Sequence, residues 1–351
     1  MVTEATTTPA ALDALYAEMA RLQVQGLWQL GDEIQARRPK VRAVPYVWRG
    51  AEVRRVLLRA GELVRHSEAA ERRTLRLVNP GLPEAHSATH TLAAAVQLLL
   101  PGEVAPPHRH TPAAVRFMLH GEGAYTTVAG ERCHMRPGDL ILTPRMAWHH
   151  HGNAGDAPVI WTDGLDFPLV ILLNATFWEP YRAGVPPETE PADASALRYT
   201  GALRPGWRPP ATTPRPRLIY RWEDTSAALR NLARLGEASP YDDILLEYTN
   251  PLTGGHVLPA LACFIQLLRP GVQTRAHRHT SSAVYHVFRG AGYSIIDGQR
   301  YDWAEGDWLA LPAWATHLHV NPGPAEAILY SISDLPALEA LELYREEEVP
   351  L

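Results

Sequence analysis

Cysteine is nearly missing from this chain: only Cys133 and Cys263 occur, far apart and in no CxxC pattern. That excludes a disulfide framework and a zinc–thiolate site, and it makes a reducing cytoplasm the expected setting. Positive charge is not in surplus either. The formal net charge is −5, so no basic excess is available to neutralise nucleic-acid phosphates. Long apolar runs are missing as well. The longest, residues 167–173, is too short to span a bilayer, and the opening MVTEATTTPAALDALY has no basic stretch followed by an apolar one, as a signal peptide requires. A soluble protein with neither a nucleic-acid nor a membrane partner is expected. With 46% hydrophobic and 20% charged residues over 351 positions, the chain can bury enough apolar surface for two domains of ordinary size.

What the chain has in abundance is turn residues and histidine. Its 31 prolines and 25 glycines are spread along the sequence, which suits many short strands joined by tight turns. Several of the 16 histidines fall into two look-alike groups, because the chain repeats itself. Residues 97–153 read QLLLPGEVAPPHRHTPAAVRFMLHGEGAYTTVAGERCHMRPGDLILTPRMAWHHHGN, and residues 266–321 read QLLRPGVQTRAHRHTSSAVYHVFRGAGYSIIDGQRYDWAEGDWLALPAWATHLHVN. Gln97 pairs with Gln266, His108 with His277 and His110 with His279 at one constant offset. After a one-residue deletion, Gly138-Asp139 pairs with Gly306-Asp307 and His149 with His317. Two copies at nearly half the chain length mean two similar domains rather than a solenoid.

Within each copy, strand-like runs alternate with turns. Residues 125–128 and 140–143 are such runs in the first copy, with 294–296 and 308–311 in the second. This rhythm predicts an antiparallel barrel or jelly roll, an all-β-dominated chain with N-terminal and peripheral helices. Leu12, Leu15, Met19 and Leu22 recur at helical spacing and predict an amphipathic helix over 9–36. The expected organisation is an N-terminal region at 1–90, a first barrel at 91–181, a proline-rich linker at 182–216 and a second barrel at 217–351, ending in a helix over 337–348.

The first histidine group resembles the cupin superfamily, whose first motif places a Gly, five residues and then His-x-His on a barrel strand. Gly102, His108 and His110 fit, and Gly121 closes the motif. The second motif is met by Gly138, Pro144, His149 and Asn153, with Met146 where a glycine is usual. Residues i and i+2 of a strand share a face, so His108 and His110 both enter the barrel, and His149 from a facing strand completes three nitrogen ligands. The position where many cupins add a glutamate is Ala114 here and Ala283 in the second copy. Three neutral imidazoles with open positions suit Fe(II) that must take both an organic chelate and oxygen.

A narrower resemblance rests on HRHT, an arginine eight residues after the first His, WHHHGN and DGLDFPL. Together these resemble the gentisate 1,2-dioxygenase family, which includes salicylate and 1-hydroxy-2-naphthoate dioxygenases. The resemblance implies one Fe(II) per subunit in the N-terminal cupin, on His108, His110 and His149. It implies insertion of both atoms of O2 between C1 and C2 of a 2-hydroxybenzoate-type acid, and a homo-oligomer, commonly a tetramer. Arg116, on the strand phase of His110, would bind the substrate carboxylate. Its counterpart Tyr285 cannot, which places the chemistry in the first barrel. Gln97 would hold a substrate oxygen, although Gln266 repeats it. His151 would hydrogen-bond the phenolic oxygen or handle its proton. Asp163 either orients one of these groups or caps a turn. Arg72 matches an arginine at the pocket mouth, with Arg73 as its alternative register and a surface arginine as the plain reading. Trp148 and Trp161 either line the pocket or fill the core.

The chain departs from the family at His150, which stands where an Asp is usual and should point away from His149. It departs again at Ala93, where an aromatic is usual and a smaller side chain would open the pocket. The expected substrate is therefore gentisate, a 5-substituted salicylate or a fused-ring hydroxy acid. His277, His279 and His317 could hold a second metal. The competing readings are a non-enzymatic metal- or ligand-binding bicupin and a metal-dependent isomerase or hydrolase on the same barrel.

Overall fold

The structure is a computed structural model, described here for residues 8–64, 73–200, 203 and 216–350. Residues 8–40 form a separate unit of short helices, Pro9–Arg21, Leu27–Gln29 and Gly31–Ile34. The single helix expected over 9–36 is thus broken. Gln23 turns left-handed (φ 55°) directly after the last apolar position of the stripe, and Gly26 is extended.

From Val41 onward the chain builds two jelly-roll barrels, each from a six-stranded and a five-stranded antiparallel sheet. The central strands of the first six-stranded sheet are Leu140–Thr143, Ala114–His120, Val159–Leu165 and Ala93–Leu99. Its facing sheet carries Val104–His110, His149–Asn153 and Ala124–Val128. The second barrel repeats this order with Trp308–Leu311, Ala283–Arg289, Ala327–Ser333 and Ala262–Leu268, faced by His277–His279, His317–Val320 and Ala291–Ile296. Even the loop chemistry recurs. Asn153 Nδ2 donates to Leu99 O and Ala157 O, and Asn321 Nδ2 donates to Leu268 O and Ala325 O, at 2.8–3.2 Å in all four cases.

The two six-stranded sheets lie back to back. Phe117 stacks on Tyr330 (4.2 Å between centroids, 7° between planes), and Val96, Ile160, Val284 and Ile332 join one apolar cluster spanning both barrels. Strands covered on both faces lose the in–out alternation of a solvated sheet. Ala93–Leu99 and Ala327–Ser333 are accordingly buried at every position. At the contact, a Cβ on Gly164 would come within 2.5 Å of Ile332 Cδ1, so the close approach of the sheets depends on that glycine.

Each barrel also borrows an edge from the other half of the sequence. Tyr46–Trp48, which precedes the first barrel, pairs with Trp308–Leu311 of the second. Ile219–Tyr220, which follows the first barrel, turns back to pair with its Leu140–Thr143 strand. The repeated Gly-Asp pair fastens these exchanges. Asp307 accepts from Gly50 N (2.8 Å) and Arg49 Nη1 (2.7 Å), anchoring the helix Gly50–Leu63. Asp139 accepts from Trp222 N (2.8 Å) and Arg221 Nη1 (2.7 Å), anchoring the helix Trp222–Leu235. A carboxylate at a helix N-terminus satisfies orphan N–H groups and complements the helix dipole.

Two further departures from expectation concern the edges. The described part of 182–216 includes a short helix, Ala194–Arg198, in which buried Ser195 donates its N–H to Glu131 Oε1 (2.8 Å). The C-terminal helix expected over 337–348 stops at Ala340. Glu342 is left-handed (φ 58°), and Glu346–Glu348 becomes an edge strand on His277–His279. The tail's backbone hydrogen bonds therefore go to a barrel edge instead of continuing i to i−4.

Candidate metal and substrate site

The first barrel brings His108, His110 and His149 together, with one candidate ligand atom from each lying within 4.8 Å of the others. His108 and His110 share a face of one strand, and His149 sits directly opposite His108 on the next. Each ring is held by its Nδ1, His108 to Pro106 O (2.8 Å), His110 to Pro112 O (2.7 Å) and His149 to Ala147 O (2.8 Å). A carbonyl partner accepts, so the proton lies on Nδ1 and the Nε2 lone pair is left to face the others. His149 Nε2 is buried without a hydrogen-bond partner among the described residues. Burial pushes the His149 imidazole well below its ordinary range, and the adjacent His108 and His110 push it further down. A neutral, buried, unpartnered nitrogen that converges with two others is what a divalent transition metal requires of its ligands.

Beside the triad lies a cavity of about 360 Å³, with His110, Gln97, Arg116 and Asp163 among its walls. That volume is at the small end of ligand pockets, roughly 300–1,000 Å³, and suits a mono- or bicyclic acid. Arg116 is 3% exposed. Its Nε donates to Asp163 Oδ1 (2.8 Å) and its Nη1 to Thr143 Oγ1 (3.2 Å), while Trp161 Nε1 donates to Asp163 Oδ2 (3.0 Å). Asp163 lies within a strand, opposite Arg116 in register, and does not cap a turn. The guanidinium is thereby fixed in a cavity that is also lined by a candidate metal ligand.

Gln97 is buried, and its Nε2 has no hydrogen-bond partner among the described residues. Its repeat Gln266 differs, because Gln266 Nε2 donates to Asp242 O (2.8 Å). His151 lies deeper, 5.6 Å from the His149 ring. Thr126 Oγ1 lies 3.0 Å from His151 Nδ1 and 3.2 Å from Met135 Sδ, and His151 is not among the cavity walls. His150 points the other way, as its position on the strand requires, with its ring against Tyr125.

Other expected residues are displaced from the cavity. Arg72 lies outside the described residues. Arg73 is buried in a two-pronged ion pair with Glu103 (2.5 and 2.7 Å) and also donates to Val64 O, so it is committed to structure. Ala93 shares a strand face with Ala95, but the wall is formed by Ala95 and by Leu165, the cross-strand partner of Ala93. Neither Trp148 nor Trp161 is among the cavity walls. Trp161 supports Asp163 from the core, and Trp148 stacks with the Arg109 guanidinium (4.5 Å).

Sequence reasoning missed Thr143, Arg76, Phe167, Phe177 and Trp178, which hold Arg116 or line the cavity. Trp178 comes from a short strand, Trp178–Pro180, that returns to pair with Val104–His110 and stacks its ring near His108 (6.1 Å). Nothing local in the sequence marks that return.

The Cupin domain family matches residues 95–167 and 264–333. The chain is 44% identical to a 5-aminosalicylate 1,2-dioxygenase of Comamonas sp, covering 96% of this chain and 90% of that one. It is 38% identical to a 1-hydroxy-2-naphthoate 1,2-dioxygenase of Nocardioides sp. (strain KP7), covering 96% and 88%. Among solved structures it is similar to a salicylate 1,2-dioxygenase from Pseudoaminobacter salicylatoxidans with gentisate, at TM-score 0.90 and 33% identity over 100% of this chain and 97% of that one.

Proposed function

The chain belongs to the gentisate- and salicylate-type 1,2-dioxygenases, ring-cleaving enzymes built on two cupins, and from that premise we propose that its first barrel holds Fe(II) on His108, His110 and His149 and opens a 5-substituted 2-hydroxybenzoate between C1 and C2. The observation that carries this reading is the Arg116–Asp163 pair, a buried cation in the same cavity as His110. The 5-aminosalicylate enzyme is 44% identical to this chain over the aligned residues, against 38% for the naphthoate enzyme, which favours a 5-substituted ring over the fused one.

The residues divide the work. Arg116 takes the substrate carboxylate and fixes the plane of the ring, while Asp163 and Thr143 hold the guanidinium so that this orientation is set before binding. Gln97 Nε2 donates to a substrate oxygen, which removes the cost of leaving that buried amide unsatisfied. His151, behind the triad, takes up the phenolic proton so that the hydroxyl oxygen enters as an anion. Phe167, Phe177 and Trp178 exclude water and offer ring faces. When bound, iron supplies the redox contact between the electron-rich ring and O2 that no side chain can provide. The same family premise carries a homotetramer as the expected assembly. No helix among the described residues is long and apolar enough to cross a membrane.

The test is oxygen uptake after anaerobic loading with Fe(II), using 5-aminosalicylate, gentisate, salicylate and 1-hydroxy-2-naphthoate. Uptake with the highest kcat/KM on a 5-substituted monocyclic acid is expected. Uptake only with the naphthoate would overturn the substrate assignment, and none with any acid would overturn the reaction.

A further inference from the structure

We infer that the second barrel holds a resident divalent transition-metal ion of its own, on His277, His279 and His317, without an aromatic acid beside it. One candidate ligand atom from each of the three lies within 4.8 Å of the others. All three Nδ1 atoms are engaged: His277 with Glu346 Oε1 (2.9 Å), His279 with both Ser281 O (2.9 Å) and Ser281 Oγ (2.8 Å), and His317 with Ala315 O (3.0 Å). This assigns the proton to Nδ1 in each ring and leaves Nε2 as the donor atom for a metal. His277 Nε2 and His317 Nε2 are buried and have no hydrogen-bond partner among the described residues. Two orphaned acceptors converging on one point are unfavourable unless a cation sits between them.

The differences from the first barrel say what kind of site this is. The groups that would receive a carboxylic acid are replaced or engaged elsewhere. Arg116 opposite Asp163 becomes Tyr285 opposite Ser331, and Gln266 is engaged with Asp242 O. The position of the returning strand that faces the second histidine also changes. Trp178 faces His110 in the first barrel, and Glu346 faces His279 in the second, reaching His277 Nδ1. Tyr344 donates its hydroxyl to the other oxygen of Glu346 (2.9 Å), and the Tyr241 ring stacks on His277 (4.9 Å, 13°). A carboxylate behind a ligand imidazole raises its basicity and favours tight retention. The centre therefore serves the fold, coupling the metal through His277 and Glu346 to the edge strand Glu346–Glu348.

This inference is independent of the dioxygenase reading, and Co(II) titration separates the two. The full chain is stripped of metal by chelation, titrated anaerobically with Co(II), and read by visible absorption and by metal analysis after desalting. The wild type should take two equivalents, and His110→Ala and His279→Ala one each. Glu346→Gln, which keeps all three imidazoles, should still take two equivalents, with one of them bound roughly 10- to 100-fold more weakly. Saturation of the wild type at one equivalent would overturn the inference. So would two equivalents of unchanged affinity in both His279→Ala and Glu346→Gln. If His279→Ala fails to fold, the wild-type stoichiometry and the Glu346→Gln affinity decide.

Discussion

Replacing Arg116 by Met separates a carboxylate anchor from a structural arginine. Arg116 and Asp163 are 3% and 6% exposed, so removing the cation leaves the Asp163 carboxylate buried with Trp161 Nε1 as its one side-chain donor among the described residues. Breaking a buried pair from one side costs about 3–5 kcal/mol in stability, and Arg116→Met alone would lose activity through partial unfolding. Arg116→Met/Asp163→Asn removes both charges at once and should recover most of the wild-type melting temperature. In that folded background the substrate carboxylate meets no cation. A charge-assisted hydrogen bond is worth about 1.5–3 kcal/mol, so the KM for a 2-hydroxybenzoate should rise roughly 10- to 100-fold. The assay is oxygen uptake with 2-hydroxybenzoate against its neutral amide. The wild type should prefer the acid strongly, and the double variant should lose most of that preference. A folded double variant whose KM for the acid stays within about twofold of wild type would refute the assignment of Arg116 to the carboxylate.

Arg73→Met removes the ion pair to half-buried Glu103, which keeps Leu100 N as a donor, and should destabilise the chain by about 1.5–3 kcal/mol, read as a lower denaturation midpoint, with the KM of the surviving fold unchanged. Asp307→Ala removes the anchor of the helix Gly50–Leu63 and its bond to Arg49. A loss of about 1–2 kcal/mol is expected in denaturant titration, with no change in metal content. His256 is held between Glu247 (2.5 Å) and Glu339 (2.8 Å). Burial opposes its charge, but the hydrogen bonds it donates to Glu339 and Glu247 prevail and raise its pKa above the ordinary 6.5. A raised imidazole pKa gives stability that is full below that ordinary value and is lost as pH climbs through the folded one. The melting-temperature gap between wild type and His256→Gln should therefore shrink from about pH 6 to about pH 9, and a constant gap would exclude the linkage.

The sequence revealed most where a short spacing has one geometric meaning. Two histidines at i and i+2 on a strand must share a face, and a repeat that keeps them while exchanging Arg116 for Tyr285 already distinguishes two barrels of unequal chemistry. The strand runs 140–143 and 308–311 end where the sequence places them, because Pro144 and Pro312 stop both. What stayed hidden depends on long-range pairing. Nothing local to Tyr46–Trp48 or Ile219–Tyr220 says that each joins the sheet it does. The returning strands at 178–180 and 346–348 are equally silent, although they set Trp178 beside one triad and Glu346 beside the other. Asp163 looked equally suited to a turn, because its partner Arg116 is distant in sequence and adjacent only in register. Ala93 and Ala95 look alike in TLAAAVQ, and only the depth of the cavity separates them.

The measurement that tests the central claim most directly is the fate of isotopically labelled oxygen. The Fe(II)-loaded chain, given ¹⁸O2 and its best 2-hydroxybenzoate, should place both labelled atoms in a single ring-opened product, as mass spectrometry would show. A product with one labelled atom and an intact ring, or with none, would contradict a ring-cleaving dioxygenase in the first barrel.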